Sequence, residues 1–173
     1  MSLNDEMKAA VKKLRDLNSR WDLLQYDEEH SQVLGPPCTS SELDEVARKL
    51  GTKLPPSYAA FLALHNGWTD FMANAGLLSV QERDQPWVEE RIGEFREQLI
   101  EFFDESILDD AFILGLAEDG RDLVYLDTSS GRADGEMDVV HFDMIDGEIG
   151  RYPDLVSLLN EEIEVVGRIV KEI

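Results

Sequence analysis

The stretch over residues 39–68 constrains the fold most, because it contains two helix signals joined by a tight turn. Thr39 followed three residues later by Glu42 is a capping-box pattern, which satisfies free backbone donors at a helix start. Apolar residues then recur at helical spacing until Gly51, a residue that tolerates the left-handed conformation of a helix C-cap. A Pro-Pro pair at 55–56 suits the first turn of a second helix. The sequence therefore predicts two short helices that pack together through the turn.

Nine positions in this stretch carry more information as a set than singly. They are Leu50, Gly51, Leu54, Pro55, Tyr58, Phe61, Leu62, Asn66 and Gly67. With the letters S-E-L-D before them, they form the pattern L-G-x-x-L-P-P-S-Y-x-x-F-L-x-x-H-N-G, which resembles the signature of the SUKH superfamily. This superfamily is named after yeast regulators of cell-wall synthesis and has many bacterial members that act as immunity proteins against polymorphic toxins. Because each residue also suits a core or turn position, the set indicates a fold rather than an active site.

A second region, residues 111–131, extends the resemblance into the C-terminal half. It predicts a hairpin with an acidic turn, and its glycine, polar loop and strand D-L-V-Y-L-D resemble the second hallmark of the SUKH fold. Further strands are predicted at 76–80, 137–143 and 148–151, and a final helix begins after Pro153. The resemblance also implies a terminal helix after the sheet. We therefore predict an α+β fold with N-terminal helices, a central mostly antiparallel β-sheet and a C-terminal helix.

The N-terminal residues predict a long helix from about residue 4 to residue 27, with Asn4 as its cap. Within the resemblance, a tryptophan-bearing helix is expected before the signature, and Trp21 fits that place. The apolar residues of this helix form a stripe that suits packing against the protein's own body, and self-association as a homodimer through this helix is the alternative. Its apolar residues form two heptad rows, Leu3, Ala10, Leu17 and Leu24 in one and Met7, Leu14 and Trp21 in the other.

Residues 82–110 form the most acidic block, with eleven acidic side chains against three basic ones. The apolar spacing predicts a helix from about Trp87 to Asp104. We interpret its outer side as either an ordinary solvated face or a partner-binding face that includes Asp104. Trp68 and Trp87 are candidate exposed anchors for a partner, and both also suit the core. Four acids lie on one side of this helix and repel one another, namely Glu90, Glu94, Glu97 and Glu101.

The length suits one domain, so we predict a single SUKH-like domain over residues 1–173. The resemblance covers roughly residues 20–165. The chain departs from a compact family member in an N-terminal helical extension over 1–30 and an acidic helical insertion over 82–110. Partner specificity usually lies on such additions and loops, so these departures leave the identity of the partner open.

The charge of the chain is strongly one-sided, with 16 basic and 37 acidic side chains and a net charge of −21. A field of this sign repels nucleic acid and anionic membranes and attracts a basic protein partner, although acidity can also serve solubility alone. No apolar run approaches the roughly 20 residues that span a bilayer, and the N-terminus lacks an apolar signal core. With a single cysteine, these features predict a cytoplasmic protein.

The residue patterns of known catalytic and metal sites are missing from the sequence. His30, His65 and His141 are isolated, and the acidic turn at 118–122 lacks the residue order of a calcium loop. We therefore expect neither a metal nor a cofactor. Cys38 can be combined with His65 or His141 as nucleophile and base, but no local signature supports a hydrolase. We predict a protein that is not an enzyme.

Two functions follow from the resemblance and the charge. The first is a bacterial immunity-type protein that binds and neutralises a cognate toxin, such as a cationic nuclease. Nuclease toxins must be cationic to hold nucleic acid, so an acidic inhibitor would associate with them quickly and in a salt-sensitive way. The alternative is a general regulatory or scaffold module of the Smi/Knr type, as the yeast relatives suggest, with no toxin partner.

Overall fold

The computed structural model describes residues 1–27, 32–72 and 75–173. One predicted feature, His30, lies outside these ranges. The α-helices are α1 Leu3–Tyr26, α2 Ser40–Leu50, α3 Pro56–Leu64, α4 Pro86–Phe102 and α5 Leu155–Glu172. The strands are β1 Trp68–Met72, β2 Ala75–Leu77, β3 Ala111–Ala117, β4 Asp122–Asp127, β5 Asp138–Asp143 and β6 Gly147–Tyr152. Short 3₁₀ helices lie at Glu82–Asp84, Glu105–Leu108 and Thr128–Ser130.

The six strands form one antiparallel sheet in which every strand pairs with its neighbour in the sequence, in the order β1 to β6. Helices precede the sheet and α5 follows it. The α+β prediction is therefore confirmed. None of the helices in the described ranges combines the length and the apolar composition that crossing a membrane requires.

The sheet is covered on both faces, because the strands alternate their side chains between two cores. Val124 and Leu126 of β4 pack into the larger core with residues of α1, α2, α3 and α5. Leu123 and Tyr125 of the same strand pack into the second core, to which α4 contributes Phe95 and other residues. The helix α4 thus lies on the opposite face of the sheet from the other helices.

The helix pair at 39–65 forms as its local signals predict. The Thr39 hydroxyl accepts a hydrogen bond from the Glu42 backbone N–H at 3.2 Å, and the Glu42 carboxylate accepts one from the Thr39 N–H at 2.8 Å. Gly51 ends α2 in the left-handed conformation with φ of 83°. Pro56 occupies the first position of α3, where its missing N–H costs nothing.

The start of α1 differs from the prediction, because Ser2 and not Asn4 is its N-cap. The Ser2 hydroxyl accepts a hydrogen bond from the Asp5 N–H at 3.2 Å, and the Asp5 side chain accepts one in return. This reciprocal capping places the helix start one residue before the predicted position. Met7 and Leu14 of the heptad rows are fully buried in the chain's own core, whereas Leu24 is exposed.

The region after α3 was only partly predicted. The strand expected at 76–80 covers Ala75–Leu77 alone, and β1 at Trp68–Met72 lies where the sequence pattern predicts no strand. Asp70 adopts a positive φ of 53° within β1, and the pairing register with β2 shifts there. This irregularity breaks the alternation of apolar and polar residues by which a strand is predicted.

Candidate protein-binding site

The helix α4 buries one side and exposes the other. Val88, Phe95 and Leu99 are buried against the second face of the sheet. Pro86 occupies the first helical position, and the helix ends where Phe103 leaves helical geometry. The observed bounds agree closely with the predicted helix from about Trp87 to Asp104.

The outer side of α4 carries the predicted glutamates, and we name these four residues the acidic face: Glu90, Glu94, Glu97 and Glu101. All four are exposed and lie on the side of the helix opposite Phe95. Within the described ranges, Glu94 alone among them forms an ion pair, with Arg91. The acidic face therefore presents three carboxylates without a cationic partner, and their mutual repulsion is relieved only by solvent and salt.

Large apolar side chains are exposed at both ends of the acidic face. Trp87 is 40% exposed and lies on the same side of the helix as Glu90 and Glu94. Ile100 and Phe102 are exposed near the C-terminal end. Exposed apolar residues flanked by charge are typical of protein-binding surfaces.

The prediction that Trp68 could be an exposed anchor is wrong. Its side chain is 1% exposed, packs at a tilt against Phe71 and donates its indole N–H to Gln32 at 3.1 Å. As the first residue of β1, Trp68 points into the larger core, so the alternative interpretation of this residue holds.

Asp104 is exposed as predicted but has a local structural role. Its carboxylate accepts hydrogen bonds from the backbone N–H of Ser106 at 2.9 Å and from the Ser106 hydroxyl at 2.7 Å. These bonds cap the 3₁₀ helix Glu105–Leu108 and hold the pKa of Asp104 below its ordinary value. A role in binding a partner stays a prediction for this residue.

A groove of about 410 Å³ lies beside the C-terminal end of α4, and we name it the α4 groove. Phe103 forms one wall, with its ring edge-on to Phe142 at 5.2 Å between centroids. The 3₁₀ helix Glu105–Leu108 continues this wall, and the rest comes from strands β4, β5 and β6, from Asp110 before β3 and from the 3₁₀ helix Thr128–Ser130. The lining residues are Phe103, Ser106, Ile107, Asp110, Tyr125, Asp127, Ser129, Phe142, Gly147, Glu148 and Arg151.

The polar end of the α4 groove is organised by Arg151. Its guanidinium donates to both oxygens of Glu148, at 2.9 and 3.1 Å, and to Asp127 at 2.8 Å. It also reaches Asp138 at 3.2 Å, and Asp138 in turn accepts from Arg132 at 2.7 Å. These hydrogen bonds, above all those that Glu148 accepts, raise the pKa of Arg151 above its ordinary value, so the guanidinium stays charged.

The ionisable groups of the groove are shifted by burial and by this network. Burial raises the pKa of Tyr125 to about 12, with a further contribution from the charge of Glu148. Burial also disfavours the charged form of Asp127, but hydrogen bonds from Ser129 and Arg151 outweigh it and hold the pKa of Asp127 below its ordinary value. At neutral pH the groove therefore contains a neutral phenol beside the ionised carboxylate of Asp127.

The residues considered for nucleophilic catalysis have separate surroundings. Burial raises the pKa of the Cys38 thiol to about 11, which leaves little of the reactive thiolate at neutral pH. The ring of His65 is hydrogen bonded to the Gly35 carbonyl at 3.0 Å, and His141 pairs with Asp122 at 2.7 Å. In the described part of the chain, no group of His, Cys, Asp and Glu side chains is arranged to hold a metal ion.

A comparison with protein families gives a match to the SMI1/KNR4 family (SUKH-1) over residues 37–161. The match covers well over half of the chain. The chain belongs to the SUKH-1 family. The search of curated proteins found no match to this chain.

In this SUKH-1 domain, the matched range contains the helix pair, the whole sheet, α4 and the start of α5. The acidic residues 82–110 thus fall within it, whereas α1 precedes it. The helix α1 is nevertheless part of the main core, through Met7, Val11 and Leu14.

The signature residues of the SUKH-1 domain have structural roles. The Asn66 side chain accepts a hydrogen bond from the Val80 N–H at 2.8 Å and donates one to Gln81 at 2.8 Å. Gly67 has a φ of 87°, and a Cβ there would lie 2.9 Å from the backbone nitrogen of Ser79. The signature therefore joins the end of α3 to the segment after β2.

Two further positions were not singled out from the sequence. Glu136 is buried, and its carboxylate accepts hydrogen bonds from the Ser57 N–H at 2.8 Å and the Ser57 hydroxyl at 2.9 Å. Arg83 donates to the Tyr58 hydroxyl at 2.6 Å and stacks over Phe112 at 4.5 Å from the ring centroid. Both contacts join residues more than twenty positions apart, so no local pattern could predict them.

Proposed function

We propose that this SUKH-1 domain is a non-enzymatic immunity-type protein that neutralises a basic toxin by binding it through the acidic face of α4. The observation that carries the proposal is the placement of unpaired carboxylates on one exposed helix side, between Trp87 and the apolar pair Ile100 and Phe102. An exposed like-charged row destabilises its own helix, and a cationic partner would remove that cost.

The chemistry of the partner follows from the charge. A nuclease toxin must be basic where it holds nucleic acid, and an acidic helix face can occupy that surface. Trp87 would supply the apolar anchor, because tryptophan often dominates the energy of an interface when it is buried there. We place this encounter in the cytoplasm.

Association between such surfaces depends on salt. Electrostatic steering raises association rates by roughly 10- to 1,000-fold, and this gain falls steeply as ionic strength increases. A complex held by the acidic face should therefore form more slowly at high salt, while its apolar anchor should retain part of the affinity.

The alternative proposal is a regulatory scaffold module with no toxin partner. It is supported by the family description, which names the SMI1 and KNR4 proteins. A scaffold contact of this kind is expected to be micromolar, whereas an immunity pair should survive dilution to nanomolar concentration. Self-association through α1, where Leu24 is exposed, is a separate proposal that sedimentation would test.

The test begins with capture of partners by the tagged chain at low and high salt. A captured basic protein is then expressed alone and together with this chain, and cell growth is measured. We expect the basic protein to inhibit growth alone and to lose that effect when the two are coexpressed. Coexpression that leaves the growth inhibition unchanged would refute the immunity function.

Charge reversal tests the acidic face directly. The triple variant Glu94→Lys, Glu97→Lys and Glu101→Lys should lower the association rate with that partner by about tenfold or more. The control reverses three exposed acids of α5, Glu161, Glu164 and Glu172, which changes the net charge by the same amount. Equal loss in both variants would show that net charge and not the acidic face governs binding.

A further inference from the structure

The α4 groove combines an apolar wall with an acidic end. Phe103 and Ile107 form the wall, and Phe142 contributes a second aromatic ring in edge contact with Phe103. Asp110 and Asp127 also line the groove. Such a groove suits a side chain that has a long apolar stem and a charged end.

The hydroxyl of Tyr125 has unused hydrogen-bonding capacity in this groove. The side chain is only 5% exposed, and within residues 1–27, 32–72 and 75–173 its hydroxyl forms no hydrogen bond. Its charged neighbours are Glu148, Arg151 and Asp127, all of which line the groove. Because the hydroxyl lines the open groove, it can bond to water or to a polar group of a ligand that enters there.

The charges of the groove select a cation. Three carboxylates, from Asp110, Asp127 and Glu148, line it together with the single guanidinium of Arg151. That guanidinium already donates to Glu148, Asp127 and Asp138, so an anionic ligand would compete with carboxylates for the same donors. The carboxylates retain acceptor capacity, because each oxygen carries two lone pairs.

We propose that the α4 groove binds an arginine side chain of the partner protein. The apolar stem lies along Phe103 and Ile107, and the guanidinium reaches Asp110 and the Tyr125 hydroxyl. Arginine suits this groove better than lysine, because its flat guanidinium stacks on aromatic rings and bonds carboxylates with two donors. Phe103 directly follows α4, so one partner can contact the acidic face and the groove together.

The proposal rests on the proposed function only for the protein that donates the arginine. Binding of the side chain itself is tested with N-acetyl-arginine amide and the full chain, by nuclear magnetic resonance of the backbone amides. We expect saturable shifts at Ser129, Gly147 and Glu148 in the millimolar range. The neutral analogue N-acetyl-citrulline amide, which has nearly the same shape, should bind at least about tenfold more weakly than the arginine probe.

Two adjacent aspartates provide a matched pair of variants. Asp110 lines the groove, whereas the exposed Asp109 does not, and either change to asparagine removes one negative charge. Asp110→Asn should weaken binding of the arginine probe by about tenfold, while Asp109→Asn should leave it within about twofold. Tyr125→Phe should weaken it several-fold, because the ring remains and only the hydroxyl is lost.

Absence of saturable shifts at the groove, or equal binding of the arginine and citrulline probes, would overturn the proposal. Equal effects of the two aspartate variants would do the same. None of these results bears on the growth assay, which tests the immunity function by itself. Arginine binding at the groove together with failure of the growth assay would leave the groove proposal standing and refute the toxin partner.

Discussion

Two buried tyrosines allow a sharp test of the contacts that hold this fold. Tyr58 is 2% exposed, and its hydroxyl accepts a hydrogen bond from the guanidinium of Arg83 at 2.6 Å. Tyr125 is 5% exposed and has no such bond within the described ranges. Replacing either residue with phenylalanine keeps the ring and removes one hydroxyl, so the two variants differ mainly in the hydrogen bond that is lost.

The magnitude for Tyr58→Phe follows from the surroundings of Arg83. A hydrogen bond to a charged group contributes about 1.5–3 kcal/mol to stability, and Arg83 is only half-buried, so we expect about 2 kcal/mol. Arg83 also donates to the Ile113 carbonyl, and its Nε lacks a partner in the described part of the chain, so Tyr58→Phe would remove one of its two hydrogen-bond partners there. For a chain of this length, that loss lowers the melting temperature by about 4–8 °C.

The assay is urea unfolding followed by tryptophan fluorescence, with Trp68 as the buried reporter. Tyr58→Phe should lower the free energy of unfolding by about 2 kcal/mol, and Tyr125→Phe should change it by less than about 0.5 kcal/mol. Equal losses in the two variants would refute the reasoning, because they would show that the Arg83 contact adds nothing to the folded state.

Three further predictions concern buried or half-buried groups. Glu136→Ala removes both hydrogen bonds to Ser57 and should lower the free energy of unfolding by about 2–3 kcal/mol, measured in urea; a loss below about 0.5 kcal/mol would contradict it. Gly67→Ala places a Cβ 2.9 Å from the Ser79 nitrogen at positive φ and should cost at least about 2 kcal/mol, whereas a wild-type melting temperature would contradict the strain. Burial raises the pKa of Cys38 from 9.0 to about 11, so the protonated thiol predominates below that pH. At pH 8, alkylation of Cys38 should be about a hundredfold slower in the folded protein than in the protein unfolded by urea, and equal rates in the two states would contradict the raised pKa.

The helices could be predicted from the sequence because their signals are local. Capping at Thr39, the left-handed Gly51 and the proline pair at 55–56 each act within a few residues, and α2 and α3 form where these signals place them. The same logic reveals why the start of α1 was misplaced. Ser2 and Asp5 form a capping box of the same kind as that at Thr39, whereas Asn4 has only the residue type of a cap and lies inside the helix.

The parts that were missed depend on contacts between distant residues. The burial of Trp68 is not predictable from the sequence, because a short irregular strand gives no clear alternation and only the packing of β1 on the core determines which side this residue faces. The α4 groove joins Phe103 to Arg151, which lie on separate elements. No spacing rule connects such residues, whereas the exposure of the acidic face follows from helical periodicity alone.

The signature residues and the acidic face of this SUKH-1 domain lie on opposite faces of the sheet. The signature residues lie with α2 and α3 on the face that holds the larger core, and α4 covers the other face. A substitution on the acidic face therefore touches neither Asn66 nor Gly67. Reversing Glu94, Glu97 and Glu101 loses the ion pair of Glu94 with Arg91 and gains attraction between position 94 and Glu90, so stability should change little. Loss of partner binding in that variant would then report the surface itself, because the fold that carries it is unchanged.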